Sequence, residues 1–385
     1  MKPTPRPAPP PGIRFRALGV LRPRRHLQQL PLVTPAAGTA AAAEGGERMT
    51  GNRRPTIKTV AARAGVGRTT VSRVVNGSDL VSADARSRVL AAIKELNYVP
   101  NSVARGLVTN RTNAVALVIP ESESRLGSEP FFAALIRGVS GALAESRTQL
   151  QLMLVRDQAE RDQLTESVAT RRVDGVLLVS VHAEDRLPGM LEEMGLPTVL
   201  AGRRDAGEQL SYVNSDNAGG AAEAVRHLLR SGRTRIATIT GPQDMDVGRS
   251  RLAGWRTAHH EAGMPASELL IEAGDFTEES GSRAMRLLLE RAPDLDAVFA
   301  ASDLMAVGAL AELRRRKRQV PGDVAVVGFE DSVLARHTNP PLTTVRQPVE
   351  ELGRTMVRIL TDITQHGAPR QQLTLPTELV VRESS

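Results

Sequence analysis

Ile57-Lys58-Thr59-Val60-Ala61-Ala62-Arg63-Ala64-Gly65-Val66-Gly67-Arg68-Thr69-Thr70-Val71-Ser72-Arg73-Val74-Val75 is the stretch from which the rest of the chain can be read. Ile57, Val60 and Ala64 fall on one face of a helical period, and Thr56 stands where a capping hydroxyl is needed. Gly65 admits the left-handed turn that ends this helix. Val71, Val74 and Val75 mark a second short helix, which Asn76-Gly77 stops. Ser82 can cap a third, running to about Asn97 with Val89, Ala92, Ile93 and Leu96 turned inward. Two helices joined by Gly65-Val66-Gly67 make the helix-turn-helix arrangement, in which the second helix enters a major groove. That helix opens with donors and acceptors. Arg68 suits a bidentate contact to guanine, Thr69 and Thr70 a hydrogen bond or a thymine methyl, and Ser72, Arg73 and Asn76 phosphates or base edges. An ordinary helical hairpin with a solvated polar face has the same spacing, so spacing alone leaves DNA binding open. A phosphate-binding loop is excluded at Gly65/Gly67, because no strand pattern precedes it and no Gly-Lys-Ser/Thr follows.

Charge is divided unevenly around this stretch. Residues 1–54 hold ten Lys/Arg and two Asp/Glu, residues 55–110 eight and three. The net charges are therefore +8, +5 and, for residues 111–385, −6, within a total of +7. A basic front on an acidic body suits a polyanion bound by the front alone. The chain has no cysteine, which excludes disulfides and thiolate metal sites and fits a reducing cytoplasm. No apolar run reaches the ~18 residues of a membrane-spanning helix. Residues 1–54 are rich in Pro, Ala, Gly and Arg without periodicity and are expected to be disordered. Met49, just ahead of the first patterned segment, is expected to be the true start; the alternative is a basic arm that strengthens non-specific DNA binding.

The segment from Thr56 to Gly77, continued by Val81-Ser82, Arg88-Val89, Ala92-Ile93 and Leu96-Asn97-Tyr98-Val99-Pro100-Asn101, resembles the DNA-binding domain of the lactose-repressor/galactose-repressor family, almost without gaps over about fifty positions. Gly67 departs from it, standing where the family usually has Ser; Gly is an acceptable cap at a cost of a few tenths of a kcal/mol. After Pro100, residues 101–108 offer only about two helical turns, marginal alone and weakened by Gly106. Read without the family, they are a plain linker. The resemblance implies a hinge that becomes helical on the operator, with Asn101 in the DNA-contacting set, Ala104 against the minor groove and Leu107 wedged into it.

From residue 112 on, strand-like runs (114–119, 150–155, 175–180, 198–201, 235–240, 297–300 and 324–328) alternate with helical patterns (132–145, 219–230 and 303–315). Such alternation implies parallel sheets covered on both faces, and the length suits two subdomains. The expected class is therefore α/β: a small all-α headpiece (55–99), a hinge (100–111) and a core of two doubly wound parallel-sheet subdomains. Glu129-Pro130-Phe131-Phe132, Val173-Asp174-Gly175, Asn214 through Gly219, Arg249 through Trp255, Ala301-Ser302-Asp303, Val326 through Asp331 and Pro340 through Val345 resemble the family's regulatory core, which shares its fold with periplasmic sugar-binding receptors. The resemblance implies chain crossings near 213, 321 and 346. That gives one subdomain of 112–213 plus 322–345 and another of 214–321 plus 346–385, with a ligand cleft at the carboxyl ends of the strands.

The family's effector positions fall on Phe131, Phe132, Asp216, Arg251, Phe276 and Asp303. Arg251 and Asp303 suit a donor fork and an acceptor pair for neighbouring hydroxyls, and the three Phe rings suit flat sugar faces. Taken singly each has a plainer role: a lone Phe packs a core, an Asp after a strand caps a helix, an Arg pairs on the surface. After the fourth strand, Gly202-Arg203-Arg204 replaces the Asp or other polar group the family often has, which leaves open a sugar or a nucleobase. The resemblance implies a cytoplasmic homodimer on a pseudo-palindromic operator, a repressor of carbohydrate-metabolism genes, with no cofactor, no metal and no membrane partner. An enzyme lacks its usual motifs here, and His259-His260 point about 100° apart on a helix, a poor metal pair. An exported solute receptor of the same fold would need a signal peptide and would not carry residues 55–110.

Overall fold

The computed structural model describes residues 55–75, 77–98, 112–146, 148–170 and 172–385. The extension 1–54, Asn76 and the hinge positions Asn101, Ala104 and Leu107 lie outside the described residues.

The headpiece is three helices, α1 (Ile57–Ala64), α2 (Arg68–Val75) and α3 (Ala83–Glu95). Thr56 and Thr59 close a reciprocal capping box at the start of α1, and Gly65 ends it at φ 65°, a conformation an L-side chain resists. The Gly67 carbonyl accepts the first bonds of α2 from the Thr70 and Val71 N–H groups, so Gly67 caps with backbone alone. Val60, Ala61, Ala64, Val71, Val74, Val89 and Ala92 form the small core that holds all three helices together.

The first core sheet holds β1 (Ala114–Ile119), β2 (Gln149–Leu154), β3 (Gly175–Leu178), β4 (Thr198–Ala201) and β5 (Ser211–Ser215) in the spatial order 2-1-3-4-5, all parallel. Its run Ala-Val-Ala-Leu-Val-Ile is apolar throughout because both faces are covered: Val115, Leu117 and Ile119 join one core, Ala114, Ala116 and Val118 another. Four described helices accompany it, α4 (Glu123–Ser128), α5 (Pro130–Glu145), α6 (Gln158–Ala169) and α7 (Leu187–Glu193). The chain then crosses into α8 (Asn217–Arg230) and a second sheet. That sheet repeats the 2-1-3-4-5 order with β6 (Ile236–Thr240), β7 (Ile271–Ala273), β8 (Ala297–Ala300), β9 (Ala325–Glu330) and β10 (Thr343–Arg346), interleaved with α9 (Asp246–Glu261), α10 (Glu278–Arg291) and α11 (Asp303–Arg315). The chain returns as α12 (Val349–His366), whose Leu352, Met356, Ile359 and Leu360 bury into the first subdomain. It adds β11 (Gln372–Leu375) beside β5, then crosses a last time to β12 (Glu378–Val380), antiparallel to β10.

The fold class agrees with the sequence reading, but the subdomain limits differ. The expected transfer of 322–345 to the first subdomain is incorrect: β9 pairs with β8 and β10 with β9, so this segment continues the second sheet. No crossing occurs near 321; the third lies between β11 and β12. Those limits followed from the family resemblance, and strand–helix alternation, which carries no label for the sheet a strand joins, offered nothing to correct them.

Candidate functional site

Two surfaces stand out. On the headpiece, Arg68, Thr69 and Arg73 are exposed, Thr70 and Ser72 half-exposed, all on α2. The N-terminal end of α2 thus presents the donor-rich face expected of a recognition helix. Thr56 is exposed as well, but its hydroxyl and carbonyl are both engaged with Thr59.

The second surface is a cleft of about 750 Å³, including its open mouth, at the carboxyl ends of the strands of both sheets. Phe131 and Phe132 reach it from the start of α5, in edge-to-face contact at 5.5 Å. Arg251 reaches it from α9 and Phe276 from the turn after β7. Phe276 sits at φ 71°, unusual for a bulky side chain. Its ring lies so close to Gly241 that a β-carbon there would be 2.3 Å from it.

Arg251 is 2% exposed. Its Nε donates to Asn217 Oδ1 at 3.0 Å and its Nη1 to the Ala301 carbonyl at 2.5 Å. The guanidinium carbon lies 3.8 Å from the Phe329 ring centroid and 5.8 Å from that of Phe276. Burial pulls the Arg251 pKa down to about 10, while Glu330, Asp303 and Glu129 oppose that fall, so it remains a cation at neutral pH. Burial likewise pushes the Glu330 carboxyl well above the usual range, the neighbouring Asp303 adds to this, and Arg251 pulls against it. A second network frames the same end: Arg125 on α4 donates to Glu121 at 2.9 Å and to Glu129 at 2.8 Å. Glu129 is itself raised by burial, against the pull of Arg125.

Phe131, Phe132, Arg251 and Phe276 therefore come together, and two expected residues do not. Asp216 caps α8 by accepting from the Gly219 N–H at 2.9 Å and does not line the cleft. Asp303 is wholly buried at the start of α11, its oxygens taken by the Thr344 hydroxyl at 2.5 Å and the Ser332 N–H at 2.7 Å. In each case an Asp after a strand satisfies helix N–H groups or buried donors. The polar groups that do line the cleft include Asn214, Asn217, Arg125, Glu129, Glu330 and Gln347. Glu129 and Glu330 stood inside the quoted family stretches without being singled out. Arg125 carried no signal, since nothing in a periodic pattern marks a short helix that folds over a cleft. His259 is buried with its Nδ1 2.9 Å from the Trp255 carbonyl, while its neighbour His260 is exposed, so the two do not form a site.

Comparison with known proteins gives these surfaces a context. Residues 56–101 match the model for bacterial regulatory proteins of the lacI family, and residues 225–385 match a periplasmic binding protein-like domain. The chain is 53% identical over 335 residues to the HTH-type transcriptional regulator CelR of Thermobifida fusca, covering 86% of this chain and 98% of that protein. Among solved structures, a transcriptional regulator CelR–cellobiose complex matches at a TM-score of 0.69 and 51% identity, covering 86% of this chain and 100% of the other. A lac repressor dimer bound to operator and the anti-inducer ONPF matches at a TM-score of 0.76 and 26% identity, with 86% and 99% covered. With a helix-turn-helix that presents Arg68 and a cleft at the strand ends of its two sheets, the chain belongs to the lacI family of bacterial regulatory proteins and is a DNA-binding transcription regulator.

Proposed function

We propose that this regulator is a homodimeric repressor that binds a pseudo-palindromic operator through two headpieces and is controlled by a glucose disaccharide of the cellobiose class held in the cleft. The observation that carries the effector is the composition of the cleft. It combines aromatic faces at Phe131 and Phe276 with the buried guanidinium of Arg251 and the carboxyl of Glu330, the mixture of apolar faces, donors and acceptors a polyhydroxylated ring requires. Similarity to a CelR–cellobiose complex supports the same ligand class. Asn76, Asn101, Ala104 and Leu107 complete the proposed DNA contacts alongside Arg68, Thr69, Thr70, Ser72, Arg73 and Thr56. Effector binding acts by changing the relation of the two subdomains, and with it the spacing of the hinges.

A thermal-shift screen of the full chain tests the effector. Cellobiose at 100 times its dissociation constant is expected to stabilise by ~2.7 kcal/mol. Stabilisation by purine bases with none by cellobiose would move the effector to the nucleobase class. The DNA surface has its own test. Arg68→Ala removes an exposed side chain, so the fold is expected to stay intact by circular dichroism while operator affinity falls by about 1–3 kcal/mol. Unchanged operator affinity would remove Arg68 from the recognition surface.

A further inference from the structure

The polar groups of the cleft form two sets. One lies deep: Arg251, Asn217 and Gln347 are all more than nine-tenths buried, and Gln347 Nε2 is buried without a hydrogen-bond partner. The other pairs a more exposed arginine with an aspartate as buried as Gln347. Arg203, in the Gly202-Arg203-Arg204 turn after β4, donates through Nε to Asp246 Oδ2 at 3.0 Å, and Asp246 opens α9. The two side chains are 30% and 10% exposed, and both line the cleft. Arg203 belongs to the first subdomain and Asp246 to the second, so the pair bridges them. Beside it, Arg249 donates to the Arg204 carbonyl at 2.6 Å, and His182 Nδ1 lies 2.6 Å from Asp244. The deep set and the bridging pair have different electrostatic partners: Arg251 interacts with Glu330, Asp303 and Glu129, whereas Arg203 interacts with Asp246 and Tyr212.

We infer that Arg203 and Asp246 form a second sugar subsite, which makes this regulator respond to disaccharides rather than to single rings. This rests on the sugar reading of the cleft. One ring occupies the deep set against Phe276. The next ring extends toward the mouth and meets a guanidinium and a carboxylate, one donor array and one acceptor pair for its neighbouring hydroxyls. Because the pair spans the subdomains, a ligand that reaches it gains contacts available only while Arg203 and Asp246 face one another. That difference in contact between two states is what shifts a conformational equilibrium. A single ring confined to the deep set leaves the bridge untouched.

Isothermal titration of the full chain with cellobiose and with methyl β-D-glucoside separates the possibilities. The wild type is expected to bind cellobiose at least tenfold more tightly than the single-ring glucoside. Arg203→Gln is expected to weaken cellobiose at least tenfold and the glucoside less than twofold. If Arg203 only braces the closed cleft, Arg203→Gln weakens both ligands by the same factor, and the subsite is refuted. Equal cellobiose binding by wild type and Arg203→Gln refutes it too, while the sugar reading stands. A wild type that does not bind cellobiose removes the sugar reading and the subsite together. Should Arg203→Gln fail to fold, Arg203→Lys keeps the charge but not the planar fork and is expected to weaken cellobiose alone.

Discussion

Arg251→Ala is expected to destabilise the folded chain by about 3–5 kcal/mol, the range for removing one partner of a buried charge cluster. The substitution leaves Asn217 Oδ1 and the Ala301 carbonyl without their donor. It also removes the cation that faces Glu129, Asp303 and Glu330. The loss has a pH signature. Burial already raises Asp303 to about 6 and Glu330 well above its ordinary value. A carboxyl whose folded pKa exceeds its unfolded one binds its proton more tightly in the folded state. Its contribution is fully present below the unfolded pKa and is lost as pH rises through the folded one. For Asp303 that window runs from about 4 to about 6. Without Arg251 these carboxyls ionise at greater cost, so denaturant titrations are expected to show a smaller penalty for Arg251→Ala at pH 5 than at pH 7.5. A penalty independent of pH would mean that the guanidinium does not offset the carboxyls. Arg251→Ala is consequently an unclean probe of effector binding, because it disturbs the fold and the site together.

Gly308→Val is expected to cost about 3 kcal/mol, at the upper end for overpacking, and to reach well beyond its own position. A β-carbon at Gly308 would lie 2.0 Å from the Glu278 carbonyl, and one at Gly281 2.2 Å from the Met305 carbonyl. Helices α10 and α11 therefore touch backbone to backbone at a pair of glycines, and a branched side chain must drive them apart. The same helices carry Thr277, which caps α10 just after Phe276, and Asp303 at the start of α11. Moving them displaces the aromatic floor of the cleft. The measurements are the midpoint of thermal unfolding and the affinity for cellobiose. A stable Gly308→Val protein with wild-type binding would show that the helices tolerate separation.

What the sequence revealed about this molecule follows the range of each interaction. The headpiece was legible residue by residue because its determinants are local: the Thr56 cap, the left-handed Gly65 and the valines of α2 all act within a turn or two. The strands at 114–119 and 297–300 were legible because runs covered on both faces are apolar without interruption. Strands β5, β7 and β10 were not, being short and interrupted by Ser, Asn, Glu or Thr. The cleft was half legible. Its aromatic residues and Arg251 follow from family position, whereas sequence does not show that Asp216 turns to a helix cap and Asp303 to the Thr344 hydroxyl and the Ser332 N–H. Arg203 and Asp246 are 43 residues apart in sequence and meet only when two subdomains are in place. No pattern in either stretch announces the other.

The proposed regulator couples an operator-reading headpiece to a sugar-binding cleft in one chain. Fluorescence anisotropy of the full chain on its operator, at a fixed salt concentration with and without saturating cellobiose, tests it most directly. Cellobiose is expected to change operator affinity by a factor within the usual 5–150-fold range of allosteric coupling. Cellobiose affinity must then change by the same factor when operator is bound. Operator affinity that stays the same while cellobiose demonstrably occupies the cleft would contradict the coupling.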